Sequence, residues 1–187
     1  MELPPPLPKN TSDQSQADLK PAPVWIRLIA GGADAIVALL LALALILLIL
    51  IPYGYPETQF LINDYVEEAR GSVVLDTEHV RAFVEIPVMQ KMLYSSQVIL
   101  YSIFFLYYLI SEWSTGGSSL GKKIFRIVTV RKNTAESPPP TAIFLRAWLK
   151  TVFLLLMPVF WLTFIWAFFN KDKRTVHDLI TGTWVID

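Results

Sequence analysis

Four ionisable side chains stand in or beside stretches that are otherwise apolar. They are Arg27 and Asp34 in "IRLIAGGADAIV", Arg146 in "LRAWLK" and Asp178 in "KRTVHDLITG". A charge at the centre of a membrane helix costs about 2.5–3.5 kcal/mol on insertion scales, so such residues face protein or water and find partners. Arg27 and Asp34 are spaced to fall on nearly one helix face, with Gly31 in the same stripe. Gly31 and Gly32 would let a second helix approach that face closely. Arg27 has the simpler option of snorkelling to headgroups, whereas Asp34, two turns deeper, is expected to be buried. Arg146 and Lys150, at i and i+4, share one face of a later apolar run. There they either snorkel or let Arg146 act as countercharge to Asp34. An embedded carboxylate beside bases suits proton or cation coupling, and it suits equally well the locking of one helix to another.

Other chemistries find less support. His177 and Asp178 are adjacent, and neighbours on a helix point about 100° apart, so they form no catalytic dyad. No serine or other nucleophile is marked by its surroundings, and no enzyme activity is expected. The chain has no cysteine and only two histidines, His79 and His177. Thiolate and histidine-rich metal centres are thereby excluded, and no cofactor is expected. "GGSSLGKK" matches a phosphate-binding loop up to Lys122, but Lys123 stands where that loop needs Ser or Thr for magnesium. A formal net charge of zero argues against a nucleic-acid partner.

The elements that must position these charges follow from hydropathy. Only 17% of the 187 residues are charged and 53% are hydrophobic. Soluble domains carry about a quarter charged residues, so the balance points to lipid. Residues 1–22, rich in Pro, Ser, Asp and Gln, read as a disordered tail. Residues 23–187 read as one membrane domain of all-α class. Helix 1 is expected at about 24–52, an extracytoplasmic acidic loop at 53–91 and helix 2 at about 88–113, opened by Pro87. Within the acidic loop, "FLINDYVEEAR" has helical spacing and Gly71 to stop it, while "SVVLD" and "VRAFVEI" fit strand or helix. A basic loop at 114–140 contains the β-like "KIFRIVTVR". A third hydrophobic region at 141–169 is too short for two full crossings of about 20 residues each, but fits two half-depth helices hinged at Pro158. The C-terminal tail, 170–187, ends in a second β-like segment.

Charge sets the sides. Lys122, Lys123, Arg126, Arg131 and Lys132 follow helix 2, whereas Glu57, Asp64, Glu67, Glu68, Asp76, Glu78 and Glu85 precede it. Basic loops favour the cytoplasm, which places the N-terminus there. Lys122, Lys123, Arg126, Lys171, Lys173 and Arg174 are expected at the membrane surface, where anionic headgroups attract them. A single crossing by the third region would put the basic tail outside, whereas a re-entrant one keeps it cytoplasmic. Pairing of "KIFRIVTV" with "TGTWVID", which would satisfy both backbones, also requires one side.

Taken in order, "IRLIAGGADAIV", "SLGKKIFRIVTV", "LRAWLK" and "KRTVHDLITGTWVI" resemble the RDD family of small bacterial-type membrane proteins. Its three naming positions would be Arg27, Asp34 and Asp178. The resemblance runs from about Val24 to Asp187, and the long acidic loop and Pro-rich start depart from it. It implies a multi-pass protein of the cell membrane, with transport of a small solute or cation, of sodium/proton type, through an embedded Asp. The alternative is a membrane scaffold or subunit that binds partner membrane proteins and transports nothing. Three hydrophobic regions do not readily enclose a pathway, so transport implies a homo-oligomer or a membrane-protein partner.

Overall fold

Alternating stretches of helix-forming and turn-forming residues fold into a mostly helical chain with one small sheet. A computed structural model describes residues 20–71, 77–132, 134, 136–156, 162, 165–170 and 173–187. The chain divides into two compact units, Met1–Ala35 with Phe105–Asp187, and Ile36–Phe104.

Among the described residues two helices are long and apolar enough to cross a bilayer. The first is α1, Val24–Leu45, which continues as wider π-type turns over Ile46–Gly54. The widened part contains Pro52, which has no N–H to give to the ladder. It closes where the Tyr55 N–H reaches the Leu50 and Ile51 carbonyls at 3.1 and 3.2 Å. Between the spans lie α2, Pro56–Gly71, and α3, Thr77–Glu85. The second spanning candidate is α4, Pro87–Ser114.

The stretch expected as an acidic loop is therefore largely helical. In α2 the dipole is complemented by Glu57 in the first turn and Arg70 in the last. "VRAFVE" resolves as helix within α3, and the Phe83 ring stacks on Tyr65 at 4.4 Å between centroids. "SVVLD" lies outside the described residues. The Tyr55 hydroxyl meets Ser95 Oγ at 2.7 Å.

The other unit carries the polar residues. After α4, Gly116 and Gly117 take left-handed conformations, φ 66° and 116°, which glycine adopts without steric cost. The helical turn α5, Leu120–Ile124, follows, then β1, Val128–Arg131. "KIFRIVTVR" is thus strand only in its last four residues. Lys122 to Ile124 are helical, and Arg126 at φ 57° turns the chain between them. Next come α6, Pro140–Leu155, a helical stretch at 165–169, α7, Val176–Ile180, and β2, Thr183–Ile186.

β1 and β2 pair antiparallel, from Val128 opposite Ile186 to Arg131 opposite Thr183. Pro21 bridges to Ile186, and the Ala22 N–H donates to the Val185 carbonyl at 3.0 Å. Ala22 packs with Ala30, Ile127 and Val185 in a buried cluster. The expected tail boundary at residue 22 is corrected here: Lys20 to Ala22 are backbone partners of β2, because its outer edge offers hydrogen-bonding groups that β1 leaves free.

This sheet constrains the third hydrophobic region. β1 precedes it and β2 follows it, so the chain leaves and returns to one place. α6 has 16 residues, short of the roughly 20 that a crossing needs. Its buried stripe, Ala142, Ile143, Arg146, Ala147 and Leu149, follows helical spacing, with Phe144 and Trp148 exposed opposite. The Pro158 hinge lies outside the described residues.

Candidate polar site

Arg27, in the first turns of α1, is buried and donates to the Asp178 carboxylate, to the Lys173 carbonyl and to Thr175 Oγ1. Snorkelling is therefore not its role. Arg146 is fully buried on α6 and donates through Nη1 to Asp178 Oδ1 at 2.5 Å and to Thr183 Oγ1. Its Nε reaches Glu112 Oε2 at 3.3 Å. Asp178, on α7, thus stands between two guanidinium groups, and the Thr175 hydroxyl donates to it at 2.7 Å. Burial alone would raise its carboxyl, but Arg146 and then Arg27 more than offset this and hold it well below the ordinary range.

Glu112, near the end of α4, continues the chain of charges. It is fully buried and accepts from Lys122 Nζ at 2.9 Å, from Lys150 Nζ and from Arg146. Lys122 also donates to Thr129 Oγ1 at 2.7 Å and to the Gly117 carbonyl at 3.4 Å. Burial pushes Lys122 down to about 7, against the pull of Glu112. Lys150 Nζ also lies 5.1 Å from the centre of the Tyr108 ring. The order is Arg27, Asp178, Arg146, Glu112, then Lys122 and Lys150, with signs alternating until the last pair.

Asp34 is held separately. It is 2% exposed and accepts the Tyr107 hydroxyl and the Gly121 N–H, both at 2.8 Å, and the Ser119 hydroxyl. The expected burial is found. The proposed countercharge is corrected, because Arg146 is engaged by Glu112 and Asp178 while uncharged donors satisfy Asp34. Of Gly31 and Gly32, where a close approach was expected, Gly32 has open space, since a Cβ there would meet nothing within 4 Å. A close approach to this part of α1 is found at Gly121, where a Cβ would collide with the Ala30 carbonyl and lie 3.1 Å from Asp34 Cγ.

His177 is buried, and burial lowers it well below its ordinary value despite Asp178. Its Nε2 lies 3.1 Å from Thr175 Oγ1. The Thr175 proton points to Asp178, so Nε2 carries the hydrogen and Nδ1 the lone pair. His177 Nε2 is 3.7 Å from Asp178 Oδ1, beyond hydrogen-bond range, in keeping with the absence of a dyad.

The surface role expected of six basic residues divides. Lys123, Arg126 and Lys173 are exposed. Lys122 and Arg174 are buried and corrected: Lys122 turns to Glu112, and Arg174 binds the Thr183 and Asp178 carbonyls at 3.0 and 2.9 Å. Lys171 lies outside the described residues. Arg27, Asp34, Lys122, Arg146, Lys150 and His177 together wall a cavity of about 50 Å³ within this one unit.

The RDD family model matches residues 21–182, which include Arg27, Asp34, Arg146 and Asp178. The chain belongs to the RDD family. No match was found among curated proteins or among solved structures. Of the three positions that the resemblance singled out, Arg27 and Asp178 form an ion pair in this RDD protein, and Asp34 fixes the α4–α5 junction to α1. Sequence reasoning missed Glu112. The signal was a lone acid in "LISEW", directly ahead of a run of bases, where an unpaired carboxylate would be out of place.

Proposed function

We propose that this RDD protein is a multi-pass protein of the cell membrane that moves a small solute and takes it up in the cavity walled by Arg27, Asp34, Lys122, Arg146, Lys150 and His177. The observation that carries this reading is the cavity itself, since buried ionisable residues facing a void in a membrane protein mark a pathway by default. Sodium/proton-type coupling through Asp34 is less favoured, because three donors from the protein already occupy its oxygens. The two spanning helices among the described residues cannot enclose a pathway alone, so the working form is an oligomer or a complex with a membrane partner. Both termini are cytoplasmic in this reading: Lys123, Arg126 and Lys173 are exposed beside the sheet that joins them, where they meet anionic headgroups.

Flux into proteoliposomes tests it. Solute uptake by the wild type that Lys150→Gln abolishes, with oligomer size unchanged, supports transport. The second reading is a scaffold subunit, favoured by the near-complete mutual pairing of the charges, as a structural lock would show. In that case no flux appears, and a defined membrane partner co-purifies in mild detergent.

A further inference from the structure

Four tryptophans stand half in the open at one level of the molecule. Trp25, Trp113, Trp148 and Trp166 are 58, 58, 50 and 54% exposed. Trp25 lies in the first turn of α1 and Trp113 in the last turn of α4. Trp148 is two residues on from Arg146, which is held through Asp178 to Arg27 of α1 and through Glu112 to that last turn of α4. Trp166 precedes Ala167, which is buried against Val24 and Leu28 at the start of α1. Each is thus tied to the end at which one spanning helix begins and the other finishes. Tryptophan gathers at that depth of a bilayer because its ring is apolar and its N–H is polar.

The open side of α6 says what surrounds it. From Ala142 to Leu156 its exposed residues are Phe144, Leu145, Trp148 and Leu156, all apolar, on a helix whose other side is already packed. A side turned to water carries polar residues, so this one faces something apolar. At the same level α1 and α4 expose Ile29 and Ile110, which on spanning helices meet acyl chains. The Phe144 ring meets Phe105 of α4 edge-on at 5.4 Å between centroids, so the α6 side continues a surface that lipid covers. The 165–169 helix repeats the pattern, with Ile165, Phe168 and Phe169 exposed around buried Ala167. A base follows at this level: Lys173 is exposed, and its carbonyl receives Arg27. Anionic headgroups attract such a charge.

We propose that the open sides of α6 and the 165–169 helix dock in the leaflet where α1 begins, at the boundary between headgroups and acyl chains. α6 is then a shelf lying against lipid and not a crossing, and it carries the polar network at headgroup depth. The chain has no cysteine, so single cysteines report depth without background. Trp25→Cys, Trp113→Cys, Trp148→Cys and Trp166→Cys are each given a nitroxide label in the full chain, in vesicles of phosphatidylcholine and phosphatidylglycerol. Leu40→Cys, exposed midway along the first span, is the deep reference. Collisions with oxygen, which concentrates among acyl chains, and with a water-soluble nickel chelate give the depth of each label.

All four tryptophan positions are expected at one depth, about 5–10 Å below the headgroup boundary. Leu40→Cys is expected at about 15 Å, the midplane of a core roughly 30 Å thick. A label at position 148 as deep as the one at 40 would overturn the proposal, since α6 would then dip or cross. Nickel contact at 148 equal to that in free solution would overturn it by placing α6 in water. Contact with neither reagent would overturn it by placing a second copy or a protein partner on that side. Should Trp148→Cys fail to fold, Phe144→Cys reads the same side of α6. The proposal needs the bilayer but not transport, so a deep label with measurable flux would remove it and leave transport standing.

Discussion

Replacing Asp178 by Asn tests whether Arg27, Asp178 and Arg146 act as a buried electrostatic lock. Asp178 is fully buried, and its two oxygens receive Arg27, Arg146 and the Thr175 hydroxyl. Asn keeps the shape but offers one acceptor oxygen and an NH₂ group, so one guanidinium would face N–H donors with its charge uncompensated. Removing one partner of a buried ion pair typically costs about 3–5 kcal/mol. Much of that loss is the penalty of leaving an arginine buried and unpaired, and not the worth of the pair. Arg27→Met then provides the control, because Arg27 with Asp178→Asn leaves the mismatch and the double variant removes it. The double variant is expected to be more stable than the sum of the singles predicts, by about 2 kcal/mol. The assay is reversible denaturant unfolding of the full chain in mild detergent, followed by tryptophan fluorescence. A loss below about 1 kcal/mol for Asp178→Asn, or additivity within about 0.5 kcal/mol, would refute the lock.

Three further outcomes follow from separate features. Gly121→Ala should destabilise by about 1–3 kcal/mol, because its Cβ meets the Ala30 carbonyl, a backbone group that cannot swing away; wild-type stability in the same unfolding assay would show that α1 and α5 do not approach as described. The chain has no cysteine, so Arg126→Cys and Asp187→Cys can be labelled singly in sealed vesicles, and both should react from the same side, since β1 and β2 pair; labelling from opposite sides would break the sheet. His177 has a depressed folded value, so the unfolded chain binds the extra proton and stability is lost as pH falls below about 6.5, by up to about 1.4 kcal/mol per pH unit. Asp178, Arg146, Lys150 and Arg27 are the charges that act on it. His177→Gln should remove that part of the slope, and an unchanged slope between pH 5 and 6.5 would assign it elsewhere.

What was legible in the chain divides by the range of the physics involved. Spans showed clearly, because an uninterrupted apolar run between Ala35 and Ile51 has few other solutions. The pairing of the two β-like segments also showed, because each left backbone groups that needed a partner. Within the acidic segment the helical spacing of "FLINDYVEEAR" and its stop at Gly71 were legible, as α2 shows, whereas the short "VRAFVEI" fitted strand or helix and only α3 decides it. Lys122 was taken for a surface base on the default that holds for most lysines, and nothing local marks it as buried. Its burial depends on Glu112 ten positions earlier and on Thr129 beyond it, contacts that the loop geometry of Gly116 and Gly117 makes possible.

The same contrast explains how Arg27, Asp34 and Asp178 divide their work. Arg27 and Asp34 share one face of α1, which suggested a direct partnership or a common partner. Instead the stripe is read by two different segments. Its outer end binds the C-terminal segment through Asp178, Lys173 and Thr175, and its inner end binds the α4–α5 junction through Tyr107, Ser119 and Gly121. One helix face thereby registers two parts of the chain that are far apart in sequence. Arg146 then links those parts to each other, holding Asp178 on one side and Glu112 on the other. Loss of either end of the stripe should leave the other ion pairs in place, so Asp34→Asn is expected to cost less stability than Asp178→Asn in the same unfolding assay. Its carboxylate accepts only uncharged donors, and an amide retains one acceptor for them.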